Sequence, residues 1–65
     1  MLPRDVLIVI EYLLANPPAG DLPALLKLAI AAWRDARKAN EGQDKLHARW
    51  AALGIDVKAA TAGQP

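Results

Sequence analysis

Apolar residues recur along this chain at helical spacing, in two stretches separated by a proline–glycine turn. In the first stretch Val6, Leu7, Val9, Ile10, Leu13 and Leu14 cover one broad face of a helix. Arg4, Asp5 and Glu11 mark the opposite face, and Ile8 and Tyr12, one turn apart, fall on that more polar side. Pro3 suits a helix start, where its missing N–H costs nothing, and Pro17-Pro18 cannot continue a helix. The pattern predicts a helix over about residues 3–16. A strand is the alternative for Val6 to Ile10, because Val6, Ile8, Val9 and Ile10 are β-branched. It would need a pairing strand, and only the short Ile55-Asp56-Val57-Lys58 shows any alternation, so helix is preferred.

After Pro17-Pro18-Ala19-Gly20, Asp21 is a good N-cap and Pro23 falls in the permitted first turn. Leu25, Ala29, Ala32, Ala36, Ala39, Gln43, Leu46, Trp50 and Leu53 then recur at alternating spacings of four and three, a heptad seam with one polar break at Gln43. Gly54 reads as the glycine that ends this helix, with Ile55 placed to pack on Trp50 in a Schellman motif. Residues 55–65 show few apolar anchors and read as a flexible tail, which sets a single helical domain at 1–54.

The middle allows two outcomes. Arg34, Arg37 and Lys38 suit a helix C-terminus, and Gly42 suits the residue after it. Asp44, or Asn40 with Gln43 as a capping box, would then begin another helix, giving segments of about 21–41 and 43–53. The seam, however, runs through residues 40–43 without a phase change, and glycine inside a helix costs only about 1 kcal/mol. The fold expected is all-α: a short helix and a tight turn, then either one long helix or two helices broken near Gly42, as a helical hairpin or a three-helix bundle. An unbroken helix would leave Leu46, Trp50 and Leu53 bare unless a second chain covered them.

Composition sharpens this need for a partner. A chain of 65 residues builds a marginal core, and proteins of this size commonly add disulfides, metals or oligomerisation. Cysteine is absent and His47 is the lone histidine, so self-association or a protein partner is the remaining support, and a dimer is expected. No cofactor is expected. Eight Lys+Arg against seven Asp+Glu give no strong overall field for nucleic acid or anionic lipid. The apolar run after Pro3 superficially resembles a signal peptide, but Glu11 interrupts it and it is too short to span a bilayer. Membrane insertion is therefore not expected, and a cytoplasmic location is. Fourteen alanines describe a helix former and are compatible with a bacterial or phage source.

Catalytic chemistry finds little support. Serine is absent, Glu11, Asp35, Glu41 and Asp44 are not paired by spacing for acid–base work, and no glycine-rich phosphate loop is present. These features point to a non-enzymatic protein–protein interaction module: a regulator, inhibitor or assembly adaptor. Its candidate contact residues are Ile8 and Tyr12 on the first helix and Leu46, Arg49, Trp50 and Leu53 at the far end of the seam. Trp and Arg are the residue types that commonly anchor interfaces. Lys27, Arg34 and Lys38 share one stripe with Arg37 close by, which supports a second class, a small dimeric nucleic-acid-binding regulator contacting phosphates. The plainer reading of that stripe is a solvated face.

Overall fold

Turn chemistry, rather than seam periodicity, decides how this chain is divided. The computed structural model describes residues 3–62, and among them it shows four helices and no strand. Helix α1 spans Arg4–Ala15, α2 Leu22–Lys38, α3 Gln43–Ala52 and α4 Val57–Ala62. Pro3 carries the extended backbone that precedes α1, and its carbonyl accepts from the Val6 and Leu7 amides. Asp21 caps α2 as expected, its side chain accepting from the Ala24 amide at 3.1 Å, with proline in the first turn.

The long seam breaks, at a residue other than the glycine expected to break it. Asn40 takes the left-handed conformation (φ 56°), the Asn40 amide donates to Arg37 and the Glu41 amide to Ala36. That pair of bonds is a Schellman motif with asparagine in the position usually held by glycine. Gly42 instead precedes α3 in extended backbone that any residue adopts, with no side-chain cap. The expectation of Gly42 as the helix-ending residue is thus corrected to Asn40. Asparagine tolerates this conformation because its short polar side chain bonds locally.

The second reversal repeats the first. Gly54 (φ 85°) ends α3, its amide donating to Ala51 and the Ile55 amide donating to Trp50. Ile55 and Trp50 are both buried in the core, as the C-terminal glycine signature predicted. Beyond Ile55 the chain forms a fourth helix where a flexible tail was expected. Asp56 caps this short helix, accepting from the Ala59 amide at 3.1 Å, and α4 packs against α1 with Ala60 buried. The expected domain limit at residue 54 is therefore corrected: Ile55 and Ala60 belong to the core, and only residues 63–65 of the expected tail lie outside those described.

The core is a mixture of small and large side chains. Val6, Val9 and Leu13 come from α1, Ala29, Ala32 and Ala36 from α2, and Leu46 and Trp50 from α3, completed by Ile55 and Ala60. The described chain measures 31 × 28 × 23 Å, with a radius of gyration of 11.0 Å, the size expected when this many residues close on one core. Replacing Ile55 by alanine is expected to lower urea-measured stability by about 2–4 kcal/mol, whereas a flexible tail would leave it unchanged. Gly54→Ala, which forces a β-carbon into left-handed backbone, should cost about 1–2 kcal/mol in the same assay.

Candidate interaction surfaces

The seam folds in half, and its two halves supply each other's partner. Ala39 and Gln43, on either side of the reversal, are exposed, while Ala29, Ala32 and Ala36 meet Leu46 and Trp50 inside the protein. Alanines let the α3 backbone approach closely and leave room for one indole. Trp50 is fully buried, and its Nε1–H donates to the Ala29 carbonyl at 3.0 Å. An indole N–H removed from water needs such a partner.

This placement corrects the reading of Leu46, Trp50 and Leu53 as an uncovered end. Leu46 and Trp50 are buried and Leu53 is half-buried against the core, so the surface contains no tryptophan anchor there. Arg49 is also engaged. Its Nε and Nη2 donate to the two Glu41 carboxylate oxygens at 2.9 and 3.3 Å, a bidentate clamp that ties the α2–α3 turn to α3. These bonds, and secondarily the opposite charge of the partner, hold the Glu41 carboxyl below its ordinary value and raise the Arg49 guanidinium above its own.

A second polar tie crosses from α1 to α3. His47 Nε2 lies 3.1 Å from Asp5 Oδ2, and the His47 ring stacks on Trp50 with centroids 5.7 Å apart. Asp5, Ile8 and Tyr12 share one stripe of α1 (i, i+3, i+7), and this bond ties its first residue to α3, while α1 as a whole packs against α4 and α2. Ile8 and Tyr12 are accordingly half-buried, Tyr12 packing against the core, rather than standing free as an exposed patch.

The large apolar side chains left in water are different ones. Leu7 is 43% exposed, Leu14 57% and Leu28 51%. Leu7, Ile10 and Leu14 form a stripe of their own at i, i+3 and i+7, on the flank of α1 opposite Asp5 and therefore away from α3. On α2, the half-buried Leu26, Ile30 and Trp33 form a matching stripe. Trp33 and Arg37 line an open cleft with Arg4, Asp5 and Glu41, where the start of α1 meets the α2–α3 turn. Leu28 lies on the other flank of α2 from that stripe. The signal for the exposed leucines of α1 was already in the α1 pattern. Its apolar residues make two stripes of 3-4 spacing, and one packing face can bury only Val6, Val9 and Leu13.

Lys27, Arg34, Arg37 and Lys38 are all exposed, as a solvated or contact-making stripe requires, and Arg37 lies over the Trp33 ring, 5.7 Å from its centroid. Lys27 and Arg34 flank Ile30 at one helical turn on either side, so the basic stripe borders the apolar stripe of α2. On α3, the element that would lie in a DNA groove, Lys45 is exposed while His47 and Arg49 are held by Asp5 and Glu41. Among the described residues no three His, Cys, Asp or Glu side chains come together, and no helix is long and apolar enough to cross a membrane. Comparison with family models, with curated proteins and with solved structures finds no match.

Trp50→Ala is expected to cost about 3–5 kcal/mol of stability in chemical denaturation. Trp50→Phe, which keeps a ring but loses the donor, should cost less than Trp50→Ala. Because Glu41 titrates lower when folded than unfolded, its contribution is complete above the unfolded value and fades as pH falls through the lowered one. Arg49→Gln should therefore flatten the loss of stability seen in urea titrations between about pH 6 and about pH 3. An unchanged slope would show that the clamp is not formed in solution.

Proposed function

We propose that this protein is a small non-enzymatic interaction module that acts by docking another protein on the exposed apolar flank of α1. The observation that carries this reading is the stripe of Leu7, Ile10 and Leu14, with its outer members 43% and 57% exposed although the protein has a closed core. Single exposed leucines are ordinary, but leucines aligned at helical spacing form a continuous stripe along one flank of α1. Such a surface suits a regulator, inhibitor or assembly adaptor, whose action is occupancy rather than chemistry. The uncovered end of α3, which made a dimer the expectation, is filled within the chain, so the need for a partner moves to this face.

Photo-reactive side chains introduced at position 14, and at exposed Ala59 on α4 as a control, test the reading in cells that make the protein. A discrete protein adduct is expected from position 14 alone, and it should disappear when Leu7→Lys is added. The same adducts from both positions, or an adduct that survives Leu7→Lys, would sink the proposal. The doubly substituted Leu7→Lys/Leu14→Lys protein should keep its stability within about 1 kcal/mol, because about half of each side chain is already in water.

A further inference from the structure

We infer that the molecule docked on the exposed flank of α1 is a second copy of this chain, its own α1 laid antiparallel to the first about a two-fold axis. The inference rests on the docking flank proposed above and names what occupies it. Pro3, Leu7, Ile10 and Leu14 follow one another along α1 and its cap at spacings of four, three and four, and all but the half-buried Ile10 are exposed. That spacing reads the same in both directions. With the axis passing midway between Leu7 and Ile10, Leu7 lies opposite the second copy's Ile10 and Leu14 opposite its Pro3. Every such contact is made twice.

Charge selects both the second copy and its direction. Arg4 and Glu11 stand seven residues apart on one border of the stripe, and both are exposed. Among the described residues the ion pairs are His47 with Asp5 and Arg49 with Glu41, so neither Arg4 nor Glu11 is engaged within the chain. Asp5, the remaining charge of α1, lies on the other side of the helix, bonded to His47.

A two-fold axis between antiparallel helices brings the same border of each together. Arg4 then falls about 3 Å along the axis from the level of the second copy's Glu11, an offset that the long arginine stem spans. Glu11 meets the second copy's Arg4 in the same way. A parallel copy would turn the two charged borders to opposite sides and leave all four charges without partners. The flank thus complements itself twice, in apolar spacing and in charge, which is the requirement of an isologous contact.

The stripe is short, about 16 Å from Pro3 to Leu14, which places the contact among the small, reversible interfaces. Sedimentation of the full chain between about 0.01 and about 1 mM should show a monomer–dimer equilibrium with a dissociation constant of about 0.1 mM. Leu14→Lys should abolish the dimer. R4E alone, or E11R alone, sets like charges together and should weaken it about tenfold. The exchange R4E/E11R restores opposite charges across the axis and should return the constant to within about threefold of the parent. Amide spectra of each variant check that the monomer fold is kept. A photo-reactive side chain at position 14 should give an adduct of twice the chain mass, mapping near Arg4 of the second copy.

A monomer throughout the concentration range would overturn the inference. In that event an adduct of position 14 with a different protein would leave the docking flank standing, and the absence of any adduct would remove both. A dimer that survives Leu14→Lys puts the contact elsewhere and sinks the proposal. So does an adduct joining position 14 to position 14, which only a different alignment allows. If R4E/E11R binds no better than either single variant, the charges do not pair across the axis and the antiparallel arrangement fails.

Discussion

The fold hangs on one indole. Trp50 is the largest fully buried side chain, and the space it occupies exists because the facing positions on α2 are alanines. Its size and its N–H impose separate constraints. The ring requires Ala29, Ala32 and Ala36 to stay small, and the N–H requires a carbonyl at a fixed depth along α2, which Ala29 provides at 3.0 Å. Together they fix both the distance between α2 and α3 and their relative slide. Hydrophobic area alone would constrain neither closely, since apolar contacts are non-directional.

The surrounding elements depend on that pairing. Once α3 lies on α2, the Schellman motif at Gly54 brings Ile55 under Trp50 and sends the chain back over α1, where α4 settles with Ala60 inward. His47 is carried by the same helix to the α1 amino end, where Asp5 meets it. The Glu41–Arg49 clamp holds the tight turn that the pairing requires. In a protein without cysteine these polar ties do the orienting, and the apolar contacts supply most of the stabilisation.

How far the sequence disclosed this can be judged residue by residue. The helix start at Asp21 and the stop at Gly54 were legible, because capping is a local matter of a side chain and the amides next to it. The break before α3 was legible only as one of two outcomes, because the seam runs through residues 40–43 without a phase change, and the left-handed role of Asn40 is visible only in the backbone. The helix at Val57–Ala62 was not legible, though Asp56 carried the same capping signal as Asp21. It has too few residues to show periodicity, and its apolar content is mainly alanine, whose burial is decided by what it meets. Leu46 and Trp50 were read as bare for a related reason. A seam running through a reversal looks continuous in one dimension, whereas in space it closes on itself and hands the exposed role to Leu7 and Leu14.

Helix α4 has a dynamic consequence. Six residues are far too few for a helix to persist alone, because nucleation costs more than so short a segment regains. It is therefore ordered by contact with α1 and α3, which bury Ala60 in the same core as Trp50 and Ile55. Order in this segment is thus conferred from outside, by packing, so its amides are expected to exchange with solvent ahead of those of α2 and α3.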